Sequence, residues 1–299
     1  MERSAGIGAL LRRMEALLEP LEAGGDPGRF FLATYLRTTR AVAEELHRGG
    51  FRDPEWVERW DVAFAGLYLD AIETAQAGRH PPEPWAVAFG AGDGADGLPP
   101  LRHVLLGMNA HINYDLPQAL LMVIPDAEFA DPVLLARRRG DHERIDDVLA
   151  RQVRAEDGEL ARRSARTLLD RVLTPLNRWA SRRWLREARQ KVWHNAVELQ
   201  RARIAGQEVY AVRLAELEGL SAARIADLRA PGQVLLRLAV RGFGVVLPRG
   251  VGRGPTRPAA PAAAAGRPGR RPGSRRRRRR RTRTTGRSPR RPPNPANAW

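Results

Sequence analysis

Helix starts recur along this chain while strand signals are nearly absent, and no other feature restricts its fold as much. Asp26-Pro27 and Asp53-Pro54 each set an N-cap residue ahead of a proline at the first helical position, and Thr174-Pro175 and Ser221 repeat the pattern. A short oxygen-bearing side chain accepts from the free N–H groups of a first turn, where proline has no hydrogen bond to lose. The expected helices are Ile7 to Leu21, Gly28 to His47, Pro54 to Ala77, Leu101 to Ile124, Pro132 to Arg154, Glu159 to Leu173, Pro175 to Ala205, Glu208 to Glu218, Ala222 to Leu228 and Gly232 to Leu247. No fixed-period repeat runs through them, so the expectation is an all-α fold, an irregular multi-helix bundle rather than a solenoid.

The bundle is expected over residues 5–248. From Arg249 onward the sequence is dominated by Arg, Pro, Gly and Ala, with seven consecutive arginines from Arg275 to Arg281. This stretch holds 17 of the 51 basic residues and none of the 34 acidic ones, so the formal charge of +17 belongs to it and the rest is neutral. Too little of it is apolar to fold, which makes residues 249–299 an expected disordered basic tail. Such a run binds polyanions through counterion release, so nucleic acid or an anionic surface is its expected partner, without sequence preference. GC-rich coding also yields this composition, and both explanations stand at this stage.

With no cysteine in the chain, disulfides, thiolate metal sites and cysteine nucleophiles are excluded. GIGALL, before Arg12 and Arg13, is too short for a signal segment, and no apolar run reaches spanning length, so a cytoplasmic protein without a transmembrane segment is expected. P-loop, GxGxxG, GxSxG and HExxH motifs are missing.

Chemistry concentrates in RHVLLGMNAHINYDLP, Arg102 to Pro117. At about 100° per residue, Val104, Leu105, Met108, Ile112 and Leu116 form an apolar arc, with Asp115 inside it and His111 beside it. Arg102, Asn109 and Asn113 form a second stripe, and His103 projects elsewhere. Apolar residues on most sides mark a central helix, where a buried polar group needs a partner. Three schemes are open: His111 and Asp115 bond each other and fix packing, they ligate a divalent metal, or they form an acid/base pair in a pocket. Pro117 should kink the helix just beyond them.

Asp61 and Tyr68 lie on the helix of WVERWDVAFAGLYLDAI. Asp61 is expected at the edge of the apolar arc, half exposed or reached by Arg102. His194 and Glu198 have metal-ligand spacing, but Gln190, Lys191 and Arg201 share their face, which favours a solvated surface. His47, His80 and His142 sit beside helix ends or charges and are expected at the surface.

At FLATYLRTT (Phe31 to Thr39), RWDVAFAGLYLDA (Arg59 to Ala71) and LLGMNAHINYDLP (Leu105 to Pro117) the chain resembles a bacterial family of helical proteins, the domain of unknown function 5995. The resemblance covers Leu10 to Pro248 and brings no activity with it. His111-x-x-x-Asp115 and His194-x-x-x-Glu198 are also similar to the ligand pairs of the helical zinc-dependent phospholipase C and single-strand nuclease group. That group adds an N-terminal tryptophan and a histidine soon after the first pair. Here the chain starts with Met1, and the next histidine is His142, so the resemblance implies at most a mononuclear or dinuclear centre.

The expected function is a small-molecule or metal-dependent hydrolase-type site, with His103, His111 and Asp115 catalytic and His111 and Asp115 the metal ligands. Arg102, Asn109, Asn113, Asp61 and Tyr68 would bind the ligand. The alternative is a non-catalytic interaction module whose polar cluster is structural.

Overall fold

The computed structural model describes residues 5–90, 98–163, 168–230, 232, 238 and 241–250. The expected tail, including Arg275 to Arg281, lies outside them, as do residues 91–97 and most of the helix expected from Gly232. Among the described residues every regular element is helical.

In chain order the elements are α1 (Ala5–Ala23), α2 (Gly28–His47), α3 (Pro54–Gln76), α4 (Glu83–Phe89), α5 (Pro100–Ala110), a π turn (His111–Asp115), α6 (Leu116–Val123), α7 (Asp126–Ala130), α8 (Pro132–Arg163), α9 (Leu168–Ala205) and α10 (Gln207–Arg229). Asp53 caps α3 as expected, accepting from the backbone N–H of Trp56 at 3.1 Å. Two other expected starts fail. Pro175 lies inside α9, and Ser221 is buried within α10, which replaces two expected helices. α8 likewise runs on to Arg163, past the break expected after Arg154.

The segment expected as one helix with a kink is continuous but widened. The N–H of Leu116 bonds the carbonyl of His111, a five-residue span in place of four. Pro117 explains the position: it has no N–H, and its ring would strike the carbonyl four residues back unless that turn opens.

Two apolar clusters fill the interior. One gathers Met14, Leu32, Leu69, Trp85 and Leu106; the other Trp56, Val57, Leu120, Leu199 and Leu217. Ile112, on the π turn, packs against both. The turn also touches α3, α9 and α10, so it stands at the centre of the bundle.

The end of the expected last helix is not helical. Gly242 takes φ +73 and its N–H closes on the carbonyl of Leu238 at 2.9 Å, a helix-ending glycine. Residues 243–250 then form a strap over α9, with Leu247 buried in the second cluster. Lys191 Nζ donates to the carbonyl of Gly244 at 3.1 Å.

Candidate functional site

The π turn aims His111 and Asp115 inward. Their exposures are 3 % and 1 %, and His111 Nδ1 lies 2.9 Å from Asp115 Oδ2. Trp85 on α4 donates its indole N–H to the same oxygen at 2.9 Å. The imidazole lies flat against Phe64 of α3, centroids 3.6 Å apart and planes within 6°. Tyr35 of α2 meets it edge-on at 4.6 Å, and Phe31, Tyr68 and Trp85 each stand 6.0 Å away. The result is a closely packed aromatic shell around the dyad.

Burial sets the charge state. Desolvation drives the His111 imidazole well below its usual range and the Asp115 carboxyl well above its own, the Trp85 hydrogen bond opposing the latter. Both groups are thereby pushed toward uncharged forms. With the proton on Asp115, its O–H donates to Nδ1 and Nε2 carries the imidazole hydrogen; without it, Nδ1–H donates and Nε2 is a lone pair.

Asp61 faces this interior, which corrects the half-exposed reading. It is 5 % exposed, and burial, with Glu58 adding, pushes its carboxyl up to about 7. Its charge also acts on the Tyr35 hydroxyl, whose titration is raised first by burial and then by Asp61 and Asp115. Among the described residues, Asp61 Oδ2, the Tyr35 and Tyr68 hydroxyls and His111 Nε2 are all buried without a hydrogen-bond partner.

Other expected site residues divide among three places. His103 lines a neighbouring cleft of about 280 Å³ together with Asp26, Gln76, Phe31, Trp85 and Phe89; Phe31 and Trp85 thus belong to both the cleft and the shell around His111. Arg102 reaches the carbonyl of Gly232 at 2.9 Å rather than Asp61. Asn109 donates to the carbonyl of Leu105 and accepts from Asn113. Asn113 holds the strap, donating to the carbonyl of Phe243 at 3.3 Å and accepting from the N–H of Val245 at 3.0 Å.

Asn195 of α9 does the same one step along, with the carbonyl of Val245 at 3.0 Å and the N–H of Leu247 at 2.9 Å. His194 and Glu198 belong to this clamp: His194 Nε2 lies 2.9 Å from the carbonyl of Leu247, and Glu198 accepts from the N–H of Gly250 at 3.1 Å. Glu198 is 4 % exposed and paired with Arg201, so the solvated face expected here is partly closed. His142 departs from expectation most, being fully buried. It accepts from the Trp193 indole at 3.1 Å and lies 5.1 Å from Trp60.

Among the described residues, no group of three or more His, Cys, Asp or Glu side chains is placed to hold a metal. His111 and Asp115 face each other as a hydrogen-bonded dyad. Nor is any described helix long and apolar enough to cross a membrane.

Sequence reasoning missed Tyr35, Phe64 and Trp85. Tyr35 lies inside FLATYLRTT, noted only for its resemblance, and Phe64 inside RWDVAFAGLYLDA, where only Asp61 and Tyr68 were given a chemical role.

Fold and site define an all-helical bundle with a buried, charge-poor His–Asp dyad in an aromatic interior. The chain belongs to the family of unknown function DUF5995, whose model matches residues 7–231. No curated protein and no solved structure matches it.

Proposed function

We propose that this is a small-molecule-binding protein whose site is the aromatic interior around His111, opened from the cleft lined by His103 when the rings they share, Phe31 and Trp85, move aside. The observation that carries the reading is a set of four buried, unpartnered polar atoms: His111 Nε2, the hydroxyls of Tyr35 and Tyr68 whose rings pack against that imidazole, and Asp61 Oδ2, whose charge bears on Tyr35. Each such atom costs about 1–3 kcal/mol, and folded interiors keep few of them. A ligand offering donors and acceptors inside an aromatic wall recovers that cost. The dyad also has the parts for proton transfer, with His111 Nε2 giving or taking a proton according to the state of Asp115. Metal-assisted hydrolysis would need donors beyond this pair.

Tyr35→Phe and Tyr68→Phe separate this reading from a purely structural cluster. In the free protein each variant should keep or gain stability, because an orphan hydroxyl is removed. Ligand-observed NMR with benzyl alcohol, benzylammonium and benzoate should show at least one probe bound, several-fold more weakly in the variants. Loss of about 1–2 kcal/mol in both variants, with no probe bound, would make the cluster structural.

For the tail we infer a separate role in binding polyanions, supported by its 17 arginines and lack of acidic residues. Retention on a nucleic-acid column should fall steeply with salt and vanish when residues 251–299 are removed. Undiminished retention by the truncated chain would refute it.

A further inference from the structure

We infer that the cleft lined by His103 is itself a binding site, taking a single-ring aromatic cation whose N–H groups face Asp26 and His103 and whose ring lies among Phe31, Trp85 and Phe89. This site needs no ring to move aside, and so does not rest on the interior around His111 proposed above.

Size and walls come first. Pockets for drug-sized ligands run to about 300–1,000 Å³, so a cleft of about 280 Å³ suits a molecule of one ring. Its walls are aromatic: Trp85 and Phe89 stack with centroids 5.1 Å apart, and Phe31 lies 5.7 Å from Trp85. Asp26 is exposed while His103 and Trp85 are buried, so the carboxylate marks the open side.

The polar groups of this lining are short of donors. Gly28 gives its backbone N–H to Asp26 Oδ1 at 2.7 Å, and among the described residues Asp26 Oδ2 has neither hydrogen bond nor ion pair. Burial holds the His103 imidazole below its usual range, and a hydrogen bond with the Leu98 backbone opposes this only in part. An uncharged imidazole that donates from one nitrogen accepts at the other. The Trp85 indole N–H is already taken by Asp115. Among the described residues the lining has no Lys or Arg, Asp26 is its one carboxylate, and the Gln76 amide is the side-chain donor that remains. Arg29, close in sequence, spends its guanidinium on the Asp26 carbonyl at 2.8 Å and on the face of Phe30. A ligand must therefore bring the N–H groups. Positive charge spread over them suits a carboxylate and aromatic faces together, whereas an anion would meet Asp26 with nothing to offset it.

Calorimetric titration of the full-length chain at neutral pH with benzamidinium and its uncharged counterpart benzamide tests the assignment. Benzamidinium should bind about tenfold more tightly than benzamide. Asp26→Asn keeps an oxygen for the Gly28 N–H but loses the charge, and should weaken benzamidinium about tenfold while leaving benzamide unchanged. Phe89→Ala, which removes one wall, should weaken both probes. Tyr35→Phe and Tyr68→Phe, outside the cleft lining, should change neither. Equal binding of the two probes, no binding of either, or benzamidinium indifferent to Asp26→Asn would each overturn the assignment. If the tyrosine variants weaken benzamidinium and Asp26→Asn does not, the probe has entered the interior, and the cleft is refuted as its seat while the ligand site around His111 stands.

Discussion

A buried carboxyl with no cation beside it is most stable with its proton on, and Asp61 is such a group. Its folded value of about 7 exceeds the ordinary 3.8. Below about pH 4 both folded and unfolded chains hold the proton, so this group imposes no penalty. Between about pH 4 and 7 only the folded chain retains it, and stability falls as pH rises, by on the order of 4 kcal/mol at most. Urea unfolding of the natural chain and Asp61→Asn from pH 4 to 8 should show the difference between them growing across that window; a constant difference would contradict it. Asp115 gives a second contrast. Asparagine mimics its uncharged form, so Asp115→Asn should cost under about 1 kcal/mol, whereas Asp115→Ala orphans the Trp85 indole and should cost about 2–3 kcal/mol. The inward aim of His111 and Asp115 was legible because one helix carried both groups on an apolar arc. The aromatic wall was not, since Tyr35, Phe64 and Trp85 come from three other helices and the periodicity of one helix says nothing about its neighbours. His142 was misread because its sequence neighbours are charged, while its contacts, Trp60 and Trp193, are distant in sequence.

At the level of elements, close approach replaces charge as the controlling quantity. A Cβ on Gly107 of α5 would stand 2.5 Å from the Phe31 ring, so α2 and α5 meet here only because the side chain is missing. Gly107→Ala should cost about 1–3 kcal/mol in denaturant unfolding and displace a ring that lines the cleft and packs near His111. The strap is the second sensitive element. Asn113→Ala removes partners from the carbonyl of Phe243 and the N–H of Val245, and should speed amide exchange at Val245 far more than in mid-α3. Equal exchange in both chains would show that Asn113 does not hold the strap. Long helices were readable from their periodicity and caps, but α4 spans only Glu83–Phe89, too short for a period to show. The π turn escaped a helical wheel that assumes a constant step, although Pro117 marked its place. Gly242 and Gly244 were the available sign that the last apolar stretch ends as something other than helix.

For the molecule as a whole, the all-α class followed directly from composition and periodicity, because a chain with so few strand signals has little else to become. Order in the described bundle does not stop where the family model does. The match ends at residue 231, yet Phe243 and Leu247 are buried in the two apolar clusters. Removing residues 251–299 should therefore leave the unfolding transition unchanged, whereas removing residues 243–299 should lower it by several degrees, because Asn113 and Asn195 lose their partners and apolar surface is uncovered. The strap is fastened to the bundle from both α9 and the π turn. One of its anchors, Asn113, is two residues from His111 and two from Asp115. The widened turn that holds the dyad is therefore also a fastening point of the strap, so loosening the strap at Val245 is felt two residues from His111.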